Sequence, residues 1–224
     1  RLLARLHGDL EFTPVFPETE ETSAPVIERY LPSRDYEKHN RELKRARRFL
    51  KQRSQKTWFE IRLSAVIDPF LEEARQLCEE WKEIELAASD SGDKAPLCFC
   101  HGDYQYHNIL RQDRGFFLVN FEKCQADGPV RDLYLLLRKL LEKSEWDAEW
   151  GRVLLAAYES VRPLKPYERQ DLFYRLSYPE KLWKIVNFYY NSGKAWIPEK
   201  NQEKLDRLLE QEAARKKFLK LLQR

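Results

Sequence analysis

Residues 97–132 read LCFCHGDYQYHNILRQDRGFFLVNFEKCQADGPVRD, and the rest of the sequence is understood from this stretch outward. An apolar run, Leu97 to Cys100, delivers His101, Gly102 and Asp103 into a polar segment that ends at Asn108. After a turn at Asp113, Arg114 and Gly115, a second apolar run delivers Asn120, Phe121 and Glu122. Two short strands that present Asp, Asn and a further carboxylate at neighbouring ends suit a Mg²⁺–phosphate site, because Mg²⁺ takes hard oxygen ligands and needs few protein carboxylates. Asp103, projecting from a loop, suits the task of orienting and deprotonating a hydroxyl. Asn108 is placed to turn its side-chain oxygen toward a metal as the loop re-enters a strand. Asn120 and Glu122, two apart on an extended segment, are expected to face one side. Asp132 opens a helix, where it either caps the N-terminus or braces the preceding loop by accepting backbone N–H bonds.

Composition narrows the class. The chain has 224 residues, enough for a substantial core, and a net charge of +3, too balanced for a dedicated nucleic-acid binder. High aromatic content with 7 Gly points to a packed helical protein. No apolar run reaches the roughly 20 residues that span a membrane, so no membrane partner is expected. The sequence begins at Arg1 and has no Met, which reads as a single-domain piece of a longer protein. Cys78, Cys98, Cys100 and Cys124 form neither a CxxC pair nor a zinc-ligand framework and are expected to be reduced, buried thiols. Neither G-x-S-x-G nor H-E-x-x-H occurs, which removes support for a hydrolase.

Around the central stretch the pattern is helical. Residues 1–7 carry an apolar helix face, and 8–34 read as loop, with a short strand or turn at Val26–Tyr30. From Arg34 to Lys56, ten Lys or Arg stand against three acids, with Leu43, Ala46, Phe49 and Leu50 as the apolar stripe: a helix with one buried and one basic face. Phe59 to Ile84 recurs at three- and four-residue steps, a long helix expected to kink or break near Pro69, and 88–96 is a turn-rich connection. After Asp132, helices carry Leu133–Leu141, Trp150–Tyr158, Leu172–Leu176 and Leu182–Tyr190, stopping at Asn191-Ser192-Gly193. A charged helix closes the sequence from about Glu199 to Leu222, with Leu205, Leu208, Leu209, Phe218 and Leu221 inside.

HGDYQYHNIL, then LVNFEKC, then GPVRDLYLLLRKLLEK resemble the aminoglycoside phosphotransferase and choline kinase branch of the protein-kinase-like superfamily. Within it, NFEKC, the RDLY helix start and SYPEKLWKIVNFYYNSGKAW are most similar to the spore-coat CotS-like family of endospore-forming bacteria. The resemblance runs from about Leu2 onward. It implies a mainly α fold with a small β-hairpin at the catalytic loop, the C-terminal large lobe of a kinase-like protein. By motif position Asp103 resembles the catalytic base, Asn108 the second metal ligand, and Asn120 the residue that normally is the Mg²⁺-holding Asp. His101 and Asp132 resemble the residues that support the catalytic loop.

Two departures bear on activity. Asn120 brings no charge to a divalent ion beside a nucleotide, a task Glu122 is placed to share. No glycine-rich loop or strand-borne Lys precedes Arg1, so the nucleotide-binding residues are unknown, and ATP and Mg²⁺ are expected only in the full-length protein, none for the fragment alone. The resemblance implies synthesis in the cytoplasm and residence in the spore coat. One reading is an ATP/Mg²⁺-dependent phosphotransferase acting on a hydroxyl of a small molecule or protein. The alternative is a catalytically inactive kinase-fold scaffold that binds other spore-coat proteins through its basic and aromatic helices.

Overall fold

The computed structural model describes residues 1–12, 31–90, 97–113, 115–191 and 198–223. Most of these are helical, with two small antiparallel sheets, so the expected mainly α fold class is what the structure shows. Two compact units form. The first comprises Arg1–Tyr30, Asp93–Arg175 and Lys220–Arg224; the second comprises Leu31–Gly92 and Leu176–Leu219. No helix among the described residues is long and apolar enough to cross a membrane.

The second unit is built on the apolar stripes of its helices. Helix α2 (Pro32–Gln52) has Pro in its first turn, where the missing N–H costs nothing. It buries Leu43, Ala46 and Leu50 against Phe59, Leu63, Ile67 and Phe70 of α3 (Trp58–Asp90). Leu182, Ile185 and Val186 of α7 (Glu180–Asn191) and Leu205 of α8 (Pro198–Leu222) complete that core. Thr57 and Glu60 cap α3 reciprocally: Glu60 accepts the Thr57 N–H at 2.8 Å and Thr57 Oγ1 accepts the Glu60 N–H at 3.3 Å.

Three expectations need correcting here. Helix α3 is not interrupted at Pro69. A proline removes one intrahelical donor, and buried Phe70 and Leu71 immediately after it hold the helix together. Phe49, assigned to the buried stripe of α2, is exposed, whereas Leu43, Ala46 and Leu50 are buried and Lys44, Arg45 and Arg48 lie on the exposed basic face as expected. Leu221, assigned to the inner side of α8, is exposed, whereas Phe218 is buried.

The first unit is built on a small sheet. Helix α1 (Leu2–Leu10) continues past Gly8, where loop was expected, into β1 (Glu11–Phe12). Strand β1 pairs antiparallel with β2 (Leu97–Cys100), which pairs on its other side with β5 (Gln125–Asp127). The separate hairpin is β3 (Ile109–Gln112) with β4 (Gly115–Leu118), Ile109 opposite Leu118. Helices α4 (Val130–Lys143), α5 (Ala148–Glu159) and α6 (Pro166–Ser177) follow. Along β2, Cys98 and Cys100 are buried while Phe99 between them is half exposed, as strand alternation requires. Cys124 is exposed, which corrects its placement among the buried thiols. Trp150 and Val153 are exposed too, so the apolar face of α5 is narrower than its sequence suggested. The Val26–Tyr30 segment, Ser192–Gly193 and the 91–96 part of the connection lie outside the described residues.

Candidate active site

Strand β2 ends at Cys100, and the next two backbone N–H groups converge on one carboxylate. His101 N donates to Asp132 Oδ2 at 2.6 Å and Gly102 N to Asp132 Oδ1 at 2.8 Å, with Asp132 fully buried. Of the two roles weighed for Asp132, the hydrogen bonds correspond to loop bracing. Gly102 has φ +76°, and a Cβ there would meet the Lys123 carbonyl oxygen at 2.1 Å. Only glycine fits this turn.

His101 is buried and fixed from both ring nitrogens. Nδ1 accepts the Asp103 N–H at 3.2 Å, which leaves the proton on Nε2 to donate to the Val119 carbonyl at 2.9 Å. A histidine so engaged ties the loop to the end of β4 and has no nitrogen free to act as a base.

Asp103 follows with its carboxylate surrounded by donors. Gln105 Nε2 donates to Oδ1 at 2.8 Å, Lys123 Nζ lies 3.0 Å from Oδ2, and Lys139 Nζ lies 3.4 Å from Oδ1 and also bonds Gln105 Oε1. Partial burial raises the Asp103 pKa, but the hydrogen bond from Lys123 and the charges of Lys139 and Lys123 outweigh it and hold the group below its ordinary value. Burial pulls Lys139 down from its ordinary value, opposed by Asp103. Close by, Lys143 Nζ sits 4.1 Å above the ring of exposed Tyr106. These lysines were not recognised from sequence. Lys123 and Lys139 stand only within quoted motifs, and Lys139 is 36 residues from Asp103.

Asn108, at the end of a single 3₁₀ turn, is buried, and its Nδ2 donates to the Asp103 carbonyl at 2.9 Å. Its Oδ1 accepts from Asn120 Nδ2, also at 2.9 Å. Asp103, Asn108 and Asn120 are therefore brought together. Glu122 departs from expectation. Asn120 adopts φ +66°, not an extended conformation, and Cys124 N bonds the Phe121 carbonyl at 2.9 Å, closing a turn in which Glu122 is exposed. The strand-like alternation invoked for Asn120 and Glu122 ends at Leu118.

In chain order the site is a strand, a loop carrying Asp and then Asn, and a hairpin that returns to that Asn. The fold is kinase-like. An aminoglycoside phosphotransferase from Alicyclobacillus acidocaldarius superposes with a TM-score of 0.79 over 99% of this chain and 63% of its own, at 19% identity. The family model for the spore coat putative kinase YutH matches residues 72–222, and the chain belongs to that family. Spore coat protein S of Bacillus subtilis is 31% identical over 159 residues, which cover 67% of this chain and 45% of that relative. The chain thus spans about half the length of the curated relative it matches.

Proposed function

We propose that this chain carries the catalytic loop of an ATP- and Mg²⁺-dependent phosphotransferase of the spore coat that acts on a hydroxyl acceptor. The observation that carries this reading is Asp103, an ionised carboxylate, one quarter exposed, on a loop fixed at His101, Gly102 and Asn108. An oxygen of Asp103 orients the acceptor hydroxyl and takes its proton as the new O–P bond forms and the bond to the leaving ADP breaks. Lys123 and Lys139, both paired with Asp103, put positive charge beside the proposed acceptor position and favour an acceptor that is itself anionic over a polycation.

The donor set suits Mg²⁺ in geometry more than in charge. Two ligands on adjacent corners of a Mg²⁺ octahedron lie about 3 Å apart. Asn108 Oδ1 and the Asn120 amide are 2.9 Å apart, so a half-turn of the Asn120 amide gives one edge of that shell. Asn108 and Asn120 would hold the ion, and the exposed Glu122 would join them only if its turn rearranged. When bound, the ion neutralises the phosphate oxygens and aligns them for in-line transfer.

One observation favours a second reading, a catalytically silent scaffold that binds other coat proteins: Asn120 is uncharged, and both oxygens of Asp103 are engaged by lysines. A thermal-shift titration of the full-length protein with ATP, with and without Mg²⁺, separates the two. Under the catalytic reading, Mg²⁺–ATP at a hundred times its Kd stabilises by about 2.7 kcal/mol, and Asp103→Asn lowers phosphate transfer by about 10²–10⁴-fold. The absence of any nucleotide shift, or transfer unchanged by Asp103→Asn, would reject it.

A further inference from the structure

Beneath the loop, the first unit gathers three soft metal ligands that the phosphotransferase reading does not use. His7 of α1 and Cys98 and Cys100 of β2 are all buried, and one ligand atom from each lies within 4.8 Å of the other two. The sequence hides this cluster, because His7 precedes Cys98 by 91 residues and no short-range motif joins them. The architecture does join them: strand alternation turns both sulfurs to one face, and β1 docks α1 over that face.

We propose that His7, Cys98 and Cys100 bind a thiophilic divalent cation of the zinc class, which staples α1 to β2 at the base of the catalytic loop. The independent observation is the state of His7. Its Nδ1 is paired with the Tyr158 hydroxyl at 2.8 Å, whereas its fully buried Nε2 has no hydrogen-bond partner among the described residues. A buried ring nitrogen left unpaired is costly. A metal-ligating histidine characteristically uses its other nitrogen for an orienting hydrogen bond, the part Tyr158 plays here.

The dimensions are close. Ligand atoms around tetrahedral Zn²⁺ are separated by about 3.6–3.8 Å, from Zn–S near 2.3 Å and Zn–N near 2.0 Å. The sulfurs and nitrogen therefore need to move inward by at most about 1 Å. A cation on Nε2 lies beside Asp132 Oδ2, which is 3.6 Å from that nitrogen. Charge balances as well: the cation displaces two thiol protons to solvent, and two thiolates neutralise it. Mg²⁺, which takes oxygen ligands, does not suit this donor set, since thiolate and imidazole prefer softer ions.

The test is cobalt substitution of the full-length protein, with Co²⁺ as the probe, together with metal analysis of protein purified from zinc-supplemented cells. The expected result is one equivalent of tightly held metal and a thiolate-to-cobalt charge-transfer band with strong tetrahedral visible bands. Cys98→Ser or Cys100→Ser removes charge-transfer intensity, and Cys78→Ser or Cys124→Ser leaves it intact. Tyr158→Phe keeps the spectrum but weakens Co²⁺ binding about 10–100-fold. Should a serine variant fail to fold, the wild-type protein still decides. Native circular dichroism with no cobalt spectrum and no melting shift on adding Zn²⁺ overturns the site, as does a spectrum that survives both Cys98→Ser and Cys100→Ser. That result would leave the two sulfurs as packed, reduced thiols.

Discussion

The loop that starts at His101 and the apolar core of the second unit are both buried at their centres, but they are held together by opposite means. At residues 101–103, position rests on a few directional bonds: two N–H groups on one carboxylate, one imidazole bonded at both nitrogens, and one glycine for which no other residue substitutes. Among α2, α3 and α7, stability is spread over many interchangeable apolar contacts around Leu43, Phe59, Leu63 and Leu182. Dispersion and hydrophobic burial reward area and tolerate shape changes, whereas hydrogen bonds and positive φ reward a single geometry. The loop is thereby specified by single residues and the core by composition.

This contrast is open to measurement, most severely at Gly102. Gly102→Ala drives a Cβ into the Lys123 carbonyl at 2.1 Å in a left-handed backbone. The expected loss is about 4 kcal/mol or more in denaturant unfolding, with the loop displaced; a loss under about 1 kcal/mol would show that the turn yields cheaply. Asp132→Ala leaves two buried N–H groups without their acceptor and is expected to cost about 3–5 kcal/mol, with Asp132→Asn recovering part of it. Leu182→Ala, fully buried in the apolar core, is expected to cost about 3 kcal/mol. If Leu182→Ala proves clearly the more damaging of these last two, the distinction between the regions is wrong.

The smallest effect concerns pH. His39 of α2 stacks on Trp183 with ring centroids 3.5 Å apart, and burial lowers its pKa although Glu180, Asp35 and Glu42 oppose the shift. The folded state then resists the proton that the unfolded chain accepts near pH 6.5. The stability this provides is present above about pH 6.5 and declines as pH falls toward the lowered value. His39→Phe should flatten the fall of melting temperature between about pH 6.5 and 5. An identical slope in both proteins would remove His39 as its source.

Much of the helical scaffold was legible because apolar residues at three- and four-residue steps announce a buried face, as in α2, α3 and α4. Strands β1 and β5, two and three residues long, carry too few positions to show a period. For the candidate site, the linear order His101, Asp103, Asn108, Asn120 was readable, and the structure links these residues by hydrogen bonds. The partners from distant sequence were not readable. Lys139 reaches Asp103 from α4, and His7 comes beside Cys98 and Cys100 from α1, contacts that sequence spacing does not encode. Asn120 was misread because alternation was extended two residues beyond the strand, into a left-handed position that asparagine tolerates.

That position has an evolutionary consequence. At φ +66° the backbone restricts residue 120 to the small set that enters the left-handed region readily, chiefly Gly, Asn and Asp. Asn and Asp codons differ by one base, and the side chains are nearly isosteric. A lineage can therefore gain or discard a formal charge at this residue in one mutational step without refolding the turn.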